Sequence, residues 1–431
     1  MVALWQTRQR LTNLSLDMGN TNANVFTLSD ILSICTHLTD FVYLNSSTNN
    51  TVSLMGDFTM IKEHNALVSL QLQLQVINET SLRVLMERCP KLQRLVMDGC
   101  DVTALNVLVA YSDRLEIIGF NSDVPVPQLQ RKPTDDNKTC NTALRSLYIV
   151  IPCHNNEISF VSHMLNIMQK NQITLETVYV FAQGDNPAGR NMNLQLSNPS
   201  LSFEHLKSMT FASFHPEVEN ILRQSITKST CFTELCIPNI ANISKLVDAS
   251  ITMPPLSKLR INQNDVIHER QRDYHYYGRD QVYYYTTTGE RRQKKNYADL
   301  SRLFQYYAKI SAYKNSLQSI ILQYCYGMRG DVLSDLARIK TLHEITLRNL
   351  HFITTPEFIS VITSLADQLT FVDLLGMDPI NDSILATLGG CHNLNYVKLE
   401  SLKSITSQGV CDLVDSLKHN ALKNLNIIKC N

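Results

Sequence analysis

The feature that most constrains this chain is a spaced apolar frame that recurs fifteen times. Each copy begins with a leading residue and carries apolar residues at its fourth and sixth positions, as in Leu92-Gln-Arg-Leu95-Val-Met97. The leading residues are Leu11, Leu38, Leu67, Leu92, Leu115, Leu144, Leu175, Leu206, Phe232, Leu256, Leu317, Leu342, Leu369, Leu394 and Leu422. The fourth positions are Leu14, Phe41, Leu70, Leu95, Ile118, Leu147, Val178, Met209, Leu235, Leu259, Ile320, Ile345, Val372, Val397 and Leu425. The sixth positions, from Leu16 to Ile427, are all apolar as well. One such match is weak in a chain that is 44% hydrophobic; the regular spacing carries the argument. Successive fourth positions are 27, 29, 25, 23, 29, 31, 31, 26, 24, 61, 25, 27, 25 and 28 residues apart.

Alternation from the fourth to the sixth position is the period of a strand. Between the strands lie stretches with helical patterning: Ser81 to Arg88, Glu157 to Lys170, Glu217 to Lys228, Thr354 to Leu365 and Gly409 to Lys418. In the fourth of these, Thr355 is the expected cap and Pro356 the first helical residue. A strand, a turn and a helix every 27 residues or so is the signature of a leucine-rich repeat. The expected fold is therefore an α/β leucine-rich-repeat solenoid of about fifteen repeats spanning 1–431. Parallel strands line its concave face and helices its convex face, closing into a horseshoe.

Six cysteines keep the phase of the repeat. Cys35, Cys89 and Cys391 each precede a leading Leu by three residues, and Cys100, Cys325 and Cys430 each follow a fourth position by five. Buried structural thiols recur in this way. Cys231 and Cys236 lack the spacing of a zinc hairpin, and no metal or cofactor is expected.

The segment Leu82-Arg-Val-Leu-Met-Glu-Arg-Cys-Pro-Lys-Leu-Gln-Arg-Leu-Val-Met-Asp-Gly-Cys-Asp-Val-Thr103 resembles the cysteine-containing leucine-rich repeats of F-box proteins, and Gly390-Cys-His-Asn-Leu-Asn-Tyr-Val-Lys-Leu399 is similar. The resemblance implies the substrate receptor of an SCF ubiquitin ligase, in which an F-box binds the ligase adaptor and the repeats bind the target. No F-box is seen, and the first repeat begins at Leu11. The chain is accordingly expected to be a form that lacks its F-box or acts without the ligase. The alternatives are a ligase-independent scaffold or small-GTPase regulator of the ribonuclease-inhibitor-like type, and an extracellular receptor fragment.

Composition narrows the partners. Lys plus Arg and Asp plus Glu number 39 each, so no global field draws nucleic acid or anionic membrane. No apolar run is long enough to span a membrane, and the first ten residues lack a signal-peptide core. A reducing cytoplasmic or nuclear setting follows as the expectation. The seven Asn-x-Ser/Thr sites, at Asn13, Asn45, Asn49, Asn78, Asn137, Asn242 and Asn381, are read as chance in an Asn-rich chain. No phosphate loop, nucleophile elbow or metalloprotease motif occurs, and His154, His163 and His275 lack partners at ligand spacing, so no enzyme activity is expected.

Candidate binding residues come from the departures and from the strand faces. The 61-residue interval contains a Tyr/Arg-rich insertion over 264–295, with Tyr276, Tyr277, Arg279, Tyr283 and Tyr284 as candidate contacts. Five acids within it argue against a single-stranded nucleic acid partner. The segments 121–141 and 183–202 are expected as rim loops. Positions three, five and seven of each strand point away from the core. On that face Tyr148, Val150, Tyr179 and Phe181 are expected to form an exposed aromatic–aliphatic patch for a protein target. Glu344, Arg348, Asp373, Tyr396, Lys398 and Glu400 are expected there as a solvated charge ladder.

Overall fold

A computed structural model of the chain describes residues 10–17, 27–44, 61–72, 77–97, 103–120, 143–151, 157–182, 201–211, 223, 225–226, 228–237, 243–247, 253–262, 287–311, 316–325, 328–350, 352–418 and 422–430. These residues fall into two compact units. One lies within Met1–Gln183, Pro187–Leu206 and Ser213–Ser229, the other within Gly184–Asn186, Lys207–Ala212 and Thr230–Asn431.

The first unit holds strands β1 (Asn13–Asp17), β2 (Asp40–Leu44), β3 (Ser69–Leu72), β4 (Arg94–Met97), β5 (Ile117–Phe120), β6 (Ser146–Ile151) and β7 (Thr177–Ala182), parallel and side by side in chain order. The second holds β8 (Ser208–Phe211), β9 (Glu234–Ile237), β10 (Lys258–Asn262), β11 (Ser319–Gln323), β12 (Glu344–Arg348), β13 (Phe371–Leu375), β14 (Tyr396–Glu400) and β15 (Asn424–Ile428), arranged in the same way. Fifteen parallel strands with helices in the crossovers make this an α/β leucine-rich-repeat fold. The register follows the sequence frame. Leu14 pairs with Phe41, Phe41 with Leu70, and so on to Val178 in the first unit; Met209 pairs with Leu235 and so on to Leu425 in the second. A slip of one residue would turn every fourth- and sixth-position side chain out of the core, so the apolar frame fixes the register.

Helices α1 (Leu28–Ile34), α2 (Glu79–Arg88), α3 (Ala104–Tyr111) and α4 (Glu157–Lys170) belong to the first unit. The second contains α5 (Ile243–Leu246), α6 (Thr287–Ser311), α7 (Gly330–Leu336), α8 (Thr355–Leu365), α9 (Asp382–Gly389) and α10 (Ser407–Leu417). Each long helix buries one stripe at helical spacing: Leu82, Leu85 and Met86 in α2, and Phe358, Val361, Ile362 and Leu365 in α8. Each such side chain contributes roughly 1.5–3 kcal/mol on burial. Helix α8 starts one residue earlier than expected. Its cap is Thr354, whose hydroxyl and N–H both bond Glu357 Oε2, at 2.8 and 2.7 Å, leaving Thr355 inside the first turn. Asn78 and Asn381, two of the Asn-x-Ser/Thr positions, are N-caps as well.

Four of the six cysteines in repeat phase are buried. Cys35 and Cys89 end α1 and α2, and their carbonyls accept the N–H of the leading residues Leu38 and Leu92. Cys391 does the same for Leu394. Cys325 is buried after β11, and Cys430 is half-buried after β15. Cys100 lies outside the described residues. At the same phase as Cys35 and Cys89, three residues before Leu67, stands His64. Its Nε2 lies 2.9 Å from Cys35 O, and its Nδ1 accepts the Leu67 N–H, so the buried ring is the neutral Nε2–H tautomer.

The repeats are also stapled to one another. Arg114 donates to Met86 O and Cys89 O at the end of α2, and Lys170 to Val109 O and Ala110 O at the end of α3, each satisfying carbonyls that a helix terminus leaves open. In the second unit Asp382 receives the N–H and hydroxyl of Thr406, the cap of α10, at 2.8 and 2.7 Å. This closeness requires glycine at 409, where a Cβ would overlap the Asp382 carboxylate. Gly409→Ala should therefore cost about 1–2 kcal/mol by displacing the capping carboxylate, and less in an Asp382→Ala background, where only the Cβ of residue 382, at 2.9 Å, still crowds it. Denaturant titration of the two single variants and the double variant measures this coupling; additive costs would show that the contact is not shared.

The expected helix from Glu217 to Lys228 is described only at 223, 225, 226 and 228, which are helical. The expected loop at 121–141 and nearly all of 183–202 lie outside the described residues, as does 264–286. The remainder of the expected insertion, 287–295, is helical backbone at the start of α6.

Candidate functional site

The strand faces that point away from the helices are built from register rows, so a residue's surroundings come from other repeats. In the first unit Tyr148 and Tyr179 are register partners on β6 and β7. Their rings stand 6.0 Å apart at 27°. Val150 and Phe181 are register partners two residues further on, but their side chains lie outside the described residues. Tyr148 corrects the expectation of an exposed patch: it is only 7% exposed, and burial pushes its hydroxyl up to about 12 against the opposing hydrogen bond from Ser146. Tyr179 is half-buried. The register partners of Tyr148 are Gly119 on β5, which has no side chain, and Tyr179 on β7, so within its row only Tyr179 offers it a ring. Val96, Thr210 and Thr346 at the same fifth position are buried too. Tyr276, Tyr277, Arg279, Tyr283 and Tyr284 lie outside the described residues.

The corresponding face of β11–β15 is more open and chemically richer. Its third-position row reads Ser319, Glu344, Phe371, Tyr396, Asn424; its fifth, Ile321, Thr346, Asp373, Lys398, Asn426; its seventh, Gln323, Arg348, Leu375, Glu400, Ile428. Phe371 and Tyr396 stack with ring centroids 4.4 Å apart and planes 7° apart, and both are half-buried. The Tyr396 hydroxyl lies 3.2 Å from Asn426 Nδ2, which anchors the far end of the stack. Glu344, Asn424 and Asn426 are exposed.

The charges of this face are mostly matched internally. Arg348 pairs with Asp373, which is only 4% exposed. Lys398 Nζ lies 2.6 Å from Glu400 Oε2; this hydrogen bond holds the lysine pKa above its ordinary value and the glutamate below its own. Such part-exposed pairs add little stability. Their consequence is geometric, because they hold long side chains in one arrangement beside the aromatic stack. Glu344 differs, since no hydrogen bond or ion pair joins its carboxylate to another described residue. The charges expected as a solvated ladder do stand in these rows, but Asp373 is buried, Arg348, Lys398 and Glu400 are half-buried and only Glu344 is exposed, because the first four pair with one another; the Phe371–Tyr396 stack beside them becomes visible only once the register joins residues from successive repeats.

Among the described residues no cluster of three His, Cys, Asp or Glu side chains could hold a metal, and no helix is long and apolar enough to cross a membrane. The eight cysteines described are free thiols. On the sheet face of β11–β15, aromatic area, hydrogen-bonding side chains and the Glu344 carboxylate stand on adjoining strands, groups that recognition surfaces use.

No protein-family model matches the chain, and no curated protein matches it. Among solved structures it is similar to a chain in the crystal structure of the Rad7 and Elc1 complex in yeast, with 15% identity over 82% of this chain and 74% of that one, and a TM-score of 0.42. It is also similar to an internalin (inlF) from Listeria monocytogenes, with 13% identity over 98% of this chain and 88% of that one, and a TM-score of 0.33.

Proposed function

We propose that this chain is a protein-recognition module, and that its target docks on the sheet face of β11–β15. The observation that carries the reading is the Phe371–Tyr396 stack, set among internally paired charges on a parallel sheet. Part-exposed aromatic side chains with few rotatable bonds give large contact area at low entropic cost. Function resides in such a site and not in the fold itself.

The narrower form of the reading is the target-binding part of an F-box-like receptor in ubiquitin ligation. Its support is the resemblance of the repeats around Cys89 and Cys391 to those of F-box proteins, with each thiol buried at the phase that pattern implies. In this role the repeats hold the target, and a ligase bound elsewhere modifies it. The candidates at Tyr276, Tyr277, Arg279, Tyr283 and Tyr284 remain a second contact region within the same proposal, as do Val150, Tyr179 and Phe181, without the buried Tyr148. A cytoplasmic or nuclear setting accords with a role of this kind.

Affinity purification with mass spectrometry tests both forms, using the chain and a Tyr396→Ala/Lys398→Glu variant shown by circular dichroism to be folded. Targets recovered with the chain should be depleted at least about tenfold with the variant, since interface aromatic residues carry about 2 kcal/mol or more. A partner set unaffected by the variant would remove the β11–β15 face from consideration. Recovery of targets without an SCF adaptor or cullin, from cells expressing the full-length transcript, would end the ligase form alone.

A further inference from the structure

Glu344 and Phe371 occupy neighbouring places in one row, on β12 and β13, in direct register. Phe371 turns one ring face to Tyr396, at 4.4 Å and 7°. Its other face is therefore directed away from β14, towards the β12 side where Glu344 stands. Glu344 is exposed, Phe371 is half-buried, and the next residue along the row is the small Ser319. The remaining charges of the face, Arg348 with Asp373 and Lys398 with Glu400, neutralise one another. What is left among the described residues of β11–β15 is the Glu344 carboxylate, beside the ring face that Phe371 turns away from Tyr396, with Lys258 of β10 two places along the same row. Carboxylate and ring attract the same group: a cation is drawn to the negative face of the ring and to the carboxylate together.

We propose that this part of the sheet face receives a basic side chain, Lys or Arg, of the protein partner, with its cation over the outer face of Phe371 and paired with Glu344. The proposal rests on the recognition reading above and names the chemistry of the partner it requires. Tyr396, held by Asn426 and stacked behind Phe371, keeps the ring upright, so that the aromatic face is presented before the partner arrives. An acidic side chain is rejected at the same place by Glu344, and a neutral apolar one leaves that carboxylate without a counter-charge when the interface closes over it.

The test is a display selection of random short peptides on the full chain, followed by affinity measurement of the binders. Peptides that bind this face should carry at least one Lys or Arg, and replacing it by norleucine or citrulline should weaken binding about tenfold. Glu344→Gln and Phe371→Leu should each weaken the same peptides. The first is at an exposed position, so a folding defect does not confuse the result. Binders weakened by Tyr396→Ala but free of basic residues, or indifferent to Glu344→Gln, would overturn this proposal and leave protein recognition standing. Binders unaffected by any substitution on β12–β15 would overturn both.

Discussion

Replacing Phe304 with alanine should destabilise the second unit by about 3–5 kcal/mol, the largest single-residue effect expected in the chain. Phe304 is fully buried on α6, within a stripe formed by Tyr297, Leu300, Leu303, Tyr307 and Ile310. The surrounding groups cannot collapse readily into the space it would leave. Tyr306 and Tyr307 are tied by their hydroxyls to Met253 O and Pro254 O, at 2.7 and 3.2 Å. Ser301 and Gln305 are tied to Asp335 on the adjoining α7, and Arg338 also pairs with that carboxylate. A cavity that stays open loses contacts as well as transfer energy. Urea titration of the whole chain, followed by a probe of the second unit, should show a midpoint lower by about 2 M for a typical slope near 2 kcal/mol per M. Phe304→Leu should lose less than half as much, because most of the volume is kept. A Phe304→Ala shift below about 0.5 M would mean that α6 is not packed as a core helix in solution.

The position of α6 shows what the sequence reveals and where it misleads. The register of every strand was legible, because the leading Leu and the period-two alternation are local and repeated. Cysteine burial was legible for the same reason, through phase. Within the 61-residue interval the Tyr/Arg-rich composition drew attention to an insertion ending at Lys295, while the apolar spacing from Tyr297 to Ile310 was equally open to reading as a helix. The candidate site was less legible. Alternation assigns Tyr148, Phe371 and Tyr396 alike to the outward face. Accessibility, however, depends on what stands on the two adjoining strands, 25 to 31 residues away. Tyr148 is buried between Gly119 and Tyr179, whereas the Phe371–Tyr396 pair has exposed Glu344 on one side and exposed Asn424 on the other.

Alkaline pH should destabilise the second unit steeply, because two of its buried thiols must stay protonated for it to fold. Burial pushes Cys325 up to about 12 and Cys391 to about 11, from an ordinary value of 9.0; for Cys325 a backbone hydrogen bond with Gln323 opposes the shift, and for Cys391 the nearby Asp367 adds to it. Both are essentially inaccessible to solvent. Since the folded-state values lie above the unfolded one, the folded chain retains these protons when the unfolded chain has released them. Their contribution is complete below about pH 9 and is lost as pH rises towards 11 and 12. At about 1.4 kcal/mol per pH unit for each thiol, the combined loss is roughly 3 kcal/mol at pH 10 and roughly 5 kcal/mol at pH 11. Tyr307, whose hydroxyl is pushed well above its ordinary value by burial, steepens the fall further beyond pH 10. The first unit should weaken by about half as much at pH 10 through Cys89, also pushed up to about 12. Urea titrations under reducing conditions at several pH values from 7.5 to 11 measure the slope. A Cys325→Ala/Cys391→Ala variant should start from a lower stability near neutrality and decline far less above pH 9. An unchanged slope in that variant, or rapid labelling of Cys325 and Cys391 in the native protein alongside the exposed Cys231 and Cys411, would show that these thiols are not held in the core.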